Sequence, residues 1–179
     1  MKVKNYKTCL TMLIIIGATA FSSCTKDDGE QQYAMANQEF VTKASSSNNF
    51  EVLAGNLALT KGENVEVKQY GQHMVTDHTT AGLEMKNLAS TKGWSISTSL
   101  QSKEQQNLDK LTALNGAAFD KEFVNTMVIS HQDAVSLFTT ASSNMGVPDG
   151  DLRNMASAKL PALKEHLQHA IELKSKVNP

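Results

Sequence analysis

The chain reads as all-α, a four-helix bundle with a short connecting helix, and three observations predict it. No segment sustains the apolar–polar alternation of a strand. Apolar residues recur instead at spacings of three and four over most of residues 36–177. Only three prolines occur, Pro148, Pro161 and the terminal Pro179, and glycines stand where the helical runs break.

The first helix is predicted over 36–61, ended by Gly62 in a left-handed conformation. Asn64, with Glu66 two residues on, starts a second helix over 64–91 that Gly93 closes. A shorter third helix over 102–115 stops at Gly116, and a fourth over 119–145 stops at Gly146. The fifth, over 149–177, takes Asp149 as its N-cap after Pro148, with Asp151 favourable against the helix dipole. Pro161 inside it should produce a kink. Short turns at Gly62 and Gly146 make one antiparallel hairpin of the first two helices and another of the last two, the third helix carrying the chain between them. The two turns are expected at the same end of the bundle.

Before the helices stands an address. Lys2, Lys4 and Lys7 form a basic segment, residues 10–20 an apolar one, and Ser22-Ser23 supply small residues ahead of Cys24. The apolar run is too short to remain in a bilayer as a span. Small residues before a cysteine resemble a bacterial lipobox, with Phe21 where leucine is commonest. That resemblance implies a lipoprotein signal peptide over 1–23, a lipidated Cys24 and a polar tether over 24–35, leaving the bundle at 36–177. Several acyl chains at Cys24 would give stable anchoring. Thr25 is unlike the aspartate of inner-membrane retention, which implies the outer membrane, and Lys26-Asp27-Asp28 resembles a surface-export signal. The expected partner is thus the membrane, through the lipid; no protein partner can be read.

Loss of residues 1–23 removes three of seventeen basic residues and none of the eighteen acidic ones, leaving a net charge of −4. A mildly acidic body with few aromatics argues against nucleic-acid binding. Cys9 leaves with the signal and Cys24 is taken by lipid, so disulfides, thiolate catalysis and cysteine metal sites are excluded from the domain. No hydroxyl stands in a nucleophile elbow and no glycine-rich phosphate loop occurs.

Four stretches carry a family resemblance: Phe50-Glu51-Val52-Leu53-Ala54-Gly55-Asn56-Leu57-Ala58, Met74-Val75-Thr76-Asp77-His78, Phe119-Asp120 with Met127-Val128-Ile129-Ser130-His131, and Leu160-Pro161-Ala162-Leu163-Lys164-Glu165-His166-Leu167. In this order they resemble the bacterial domain of unknown function 4142 (DUF4142), over about residues 38–173. The resemblance implies a ferritin-like four-helix bundle and an exported location, and no particular chemistry. The second and third stretches echo each other, one in each hairpin.

Ferritin-like di-iron proteins place a Glu-x-x-His pair on each of two helices and a glutamate on each of the other two. Neither His78 nor His131 stands in such a pair, and Glu165 adjoins His166, rotated about 100° from it. Di-iron oxidase chemistry is therefore disfavoured. His78 falls on the stripe Val67, Tyr70, Met74, Ala81, Met85, and His131 on Val124, Val128, Val135, Phe138. His166 follows Leu163 and precedes Ala170, and Glu51 lies among Ala44, Ser47, Ala54 and Ala58. At about 1.5 Å per residue the histidines lie some 22–26 Å from their turns, and Glu51 about 17 Å. A site of Glu51, His78, His131 and His166 follows, holding one transition metal ion such as zinc, copper(II) or iron, to which Met74 and Met127 could add thioethers. The other reading is a polar core network in which Glu51 or Asp77 hydrogen-bonds the imidazoles. His73 and His169 are placed on the surface, paired with Asp77 and Glu165. The chain thus reads as a non-enzymatic binding or envelope module of unknown ligand, or alternatively as a metal-binding protein.

Overall fold

The structure, a computed structural model, describes residues 32–177; the signal segment and Cys24 lie outside the described residues. It comprises α1 (Asn37–Lys61), α2 (Val65–Lys92), α3 (Ser102–Thr112), α4 (Gly116–Ser142) and α5 (Gly150–Val177). No strand occurs among the described residues, and the fold is the expected all-α bundle of four long helices with one short connector.

Several boundaries form as local chemistry dictates. The Asn64 side chain accepts from the N–H groups of Glu66 (2.7 Å) and Val67 (3.4 Å), capping α2. Gly93, at φ 72°, closes α2 in the left-handed region. Asp149 accepts from the Leu152 N–H at 2.9 Å and caps α5, which then runs through Pro161 without interruption.

Others differ. Gly62 is extended, at φ −67° and ψ 150°, not left-handed. The turn after it is held from outside: the Asp120 carboxylate, buried on α4, accepts from the N–H groups of Glu63 (3.1 Å) and Asn64 (2.7 Å). A charge-assisted tertiary bond replaces the glycine signal. Gly116 opens α4 at φ 59° instead of ending α3, which stops at Thr112, and α4 ends at Ser142, three residues before the expected limit.

The larger difference is topological. One apolar cluster joins Phe50, Ala54 and Ala58 at the end of α1 to Val67 and Tyr70 at the start of α2, Phe119 and Phe123 at the start of α4, and Ala170 and Leu173 at the end of α5. A second joins Phe40 and Val41 on α1 to Met85 and Ala89 on α2, Ala141 on α4, and Leu152 and Ala156 on α5. The α1–α2 turn therefore lies at one end of the bundle and the α4–α5 turn at the other, not together. There the chain before α1 joins the α4–α5 turn, Ala34 N–H donating to Met145 O at 2.7 Å and Met35 N–H to Gly146 O at 3.0 Å.

The chain must consequently travel the length of the bundle between α2 and α4. It does so along α1: Gln38 accepts from Ser95 N–H at 2.9 Å, Ser46 from Gln101 N–H at 2.8 Å, and Lys61 donates to Thr112 O at 2.8 Å. This single long crossover contains α3.

α1 and α2 approach closely at Gly55 and Gly71. A Cβ on Gly71 would sit 2.6 Å from the Ala58 Cβ, and one on Gly55 2.6 Å from the Gly71 carbonyl. α2 and α5, by contrast, pack least among the neighbouring long helices. Their seam is bridged by polar groups: Tyr70 donates its hydroxyl to the His166 carbonyl at 3.0 Å, Lys176 pairs with Glu66 at 2.5 Å, and Lys159 pairs with Glu84.

Candidate functional site

Between the two apolar clusters, at mid-height, all four long helices turn polar side chains inward. His78 on α2, His131 on α4, His166 on α5 and Glu51 on α1 are 6 %, 0 %, 5 % and 1 % exposed. The four residues singled out from helical spacing thus meet in one layer. That they do so despite the misplaced turn has a simple reason. Helices of about 27 residues are about 40 Å long, so a position near 22 Å is central whichever end it is measured from.

The three imidazole rings lie with centroids 5.4–5.8 Å apart. Each offers one nitrogen such that the three atoms fall within 4.8 Å of one another. The opposite nitrogens are engaged: His131 Nδ1 with the Met127 carbonyl at 2.9 Å, His78 Nδ1 with Asn48 Oδ1 at 3.2 Å, and His166 Nε2 with Asp77 Oδ2 at 3.0 Å. All three partners are acceptors, so each bonded nitrogen carries the proton and the other nitrogen of each ring, His78 Nε2, His131 Nε2 and His166 Nδ1, presents a lone pair. These three atoms are buried and have no hydrogen-bond partner.

Electrostatics keep the rings neutral. Burial holds His131 down to about 4 and His78 well below the usual imidazole range, where the neighbouring His131 and His166 rings add to the effect. His166 is also lowered by burial and by His131, against the opposing pull of Asp77. Burial raises Glu51 to about 7, opposed by the hydrogen bond it accepts from Ser130 and by His166.

Glu51 stands beside the triad. Its Oε1 accepts from the Ser130 hydroxyl and lies 3.9 Å from His131 Nδ1, the nitrogen committed to Met127, while its Oε2 is buried and unpartnered. Met74 and Met127 pack in the first apolar cluster and do not line the cavity at the histidines. His73 is exposed and pairs with Asp77 at 3.0 Å, as its spacing implies. Exposed His169 packs edge-on against Tyr70 at 4.9 Å. Spacing did not reveal Asn48 or Ser130, the partners of His78 and Glu51. Asn48 lies one turn before Glu51 on the inward side of α1, and that register was the available signal.

A cavity of roughly 260 Å³ begins at this layer. The arrangement offers three converging nitrogen donors, a carboxyl group beside them, and open space on one side. Such a set could hold a metal ion with one position left for another ligand.

A helical bundle enclosing a histidine triad is the class that fold and site define. The sequence model of a domain of unknown function, DUF4142, matches residues 22–173, and the chain belongs to that family. No curated protein and no solved structure matches it.

Proposed function

We propose that this protein binds a transition metal ion through His78 Nε2, His131 Nε2 and His166 Nδ1, with Glu51 alongside. The observation that carries this reading is the orientation of the three rings. Each spends its proton on an outer acceptor, which leaves three lone pairs facing one another in a buried layer with no donor between them. A network serving structure alone would pair those atoms, since unpaired buried polar groups are costly. Glu51, protonated, could satisfy one of them at most. A cation satisfies all three.

The outer acceptors match what metal-bound imidazoles require, a carboxylate, carbonyl or amide oxygen that fixes tautomer and ring orientation. Nitrogen and oxygen donors suit zinc, copper(II) or iron. The single long crossover agrees with a ferritin-like connectivity. We further propose, on the basic, apolar and Ser22-Ser23-Cys24 segments, that the bundle is tethered to the outer membrane by lipid on Cys24. Among the described residues no helix is long and apolar enough to cross a membrane.

The test is metal content by mass spectrometry on protein purified without chelator or affinity metal. About one ion per chain is expected, lost when His78 and His131 are both replaced by alanine. No metal after loading with zinc, copper or iron would leave a structural histidine network.

A further inference from the structure

We infer that the cavity beside the histidine triad is a binding site for a small organic anion with a compact apolar body, whose oxygen head reaches the ion. This rests on the metal reading above and names the ligand class of the same site.

The cavity runs from the histidines toward the second apolar cluster. Its lining passes from Glu51 to Ala44 on α1, His78 to Ala81 on α2, His131 to Ala134 on α4, and His166 to Ala162 on α5. One alanine from each long helix thus lines the cavity, and Phe138 lines it on the side of the second apolar cluster. Larger apolar residues fill the core above and below it. Exposed Thr80 and Ala162 line the cavity on facing sides of the α2–α5 seam and give it a mouth there.

Four of the residues that line it each carry a buried, unpartnered polar atom beside it: Glu51 Oε2, His78 Nε2, His131 Nε2 and His166 Nδ1. Small residues alone would specify nothing; these atoms give the space a polar head and an apolar body. A divalent ion with three neutral imidazoles carries +2, the Glu51 and Asp77 carboxylates return −2 and the Lys159 ammonium on the same lining adds +1, so one monoanion completes neutrality. Size agrees: an apolar cavity of about 150 Å³ accommodates benzene, and this one, at roughly 260 Å³, has room for a ring or branched chain with its carboxylate.

The experiment loads the purified protein with cobalt(II) and follows its visible spectrum during titration with benzoate, isobutyrate and acetate. Benzoate and isobutyrate should shift the spectrum at concentrations about tenfold or more below acetate. Ala134→Leu, which fills the cavity without replacing a metal ligand, should remove that advantage and keep the cobalt spectrum. Ala162→Leu, at the exposed mouth, should weaken benzoate with no folding defect and serves where the buried change does not fold. Cobalt bound with benzoate no better than acetate, or with both variants unchanged, would overturn the inference and leave the metal reading intact. No cobalt uptake would overturn both.

Discussion

Asp77 Oδ2 lies 3.0 Å from His166 Nε2 and 3.0 Å from His73 Nε2. One carboxylate oxygen thus orients a buried imidazole and links it to an exposed one. Asp77→Ala should weaken metal binding by about 10–100-fold, the usual cost of losing an imidazole's outer partner. Asp77→Asn, which keeps an acceptor oxygen, should recover part of that loss. Competition with a chromophoric chelator measures both, and unchanged affinity in the alanine variant would remove Asp77 from the site.

Metal-free protein should lose stability as pH falls from about 6.5 toward 4. In that range the unfolded histidines bind protons that buried His131, held at about 4, does not. His78 and His166, also lowered, act in the same direction. Glu51 has the opposite sign. Raised to about 7, it stabilises the fold below the ordinary carboxyl range and that contribution is lost as pH rises through 7. Glu51→Gln should therefore make the metal-free protein more stable at pH 8, by on the order of 3 kcal/mol, and change little at pH 4. Urea unfolding at the two pH values reads this directly.

Gly71→Ala should destabilise the bundle by about 1–3 kcal/mol, because the added methyl meets the Ala58 Cβ at 2.6 Å and the Gly55 carbonyl at 2.9 Å on a packed helix. Thermal unfolding would show it. A neutral result would mean that α1 and α2 can separate without cost at this contact.

With lipid on Cys24 as proposed, Cys24→Ala should move the protein from the membrane fraction to the soluble one, because one attachment site would hold every acyl chain. Retention in the membrane fraction would contradict the lipid tether.

Much of the fold was legible because its signals are local. Asn64, Gly93 and Asp149 each cap a helix with groups from their own turn. The α1–α2 turn was misread because its determinant, Asp120, comes from 56 residues away along the chain. The placement of the hairpin turns failed for a related reason: nothing in residues 93–115 announces a crossover that runs the length of α1. The histidine triad was legible because three residues at core spacing and mid-helix meet in either topology. The proton positions that make it a donor set were legible only at Asp77, expected to hold an imidazole and found on His166; the other two depend on Asn48 and the Met127 carbonyl seen in place. The alanine lining escaped too, since alanine in a helix signals nothing until several helices bring one each to the same cavity.

The α2–α5 seam, joined by Lys176 with Glu66 and Lys159 with Glu84, carries a kinetic consequence. Partly exposed charges are screened within about 8–10 Å at physiological ionic strength, whereas apolar packing is not. Raising the salt concentration should therefore loosen this side of the bundle while the two apolar clusters hold, so that guests enter and leave the interior faster without a matching fall in unfolding temperature.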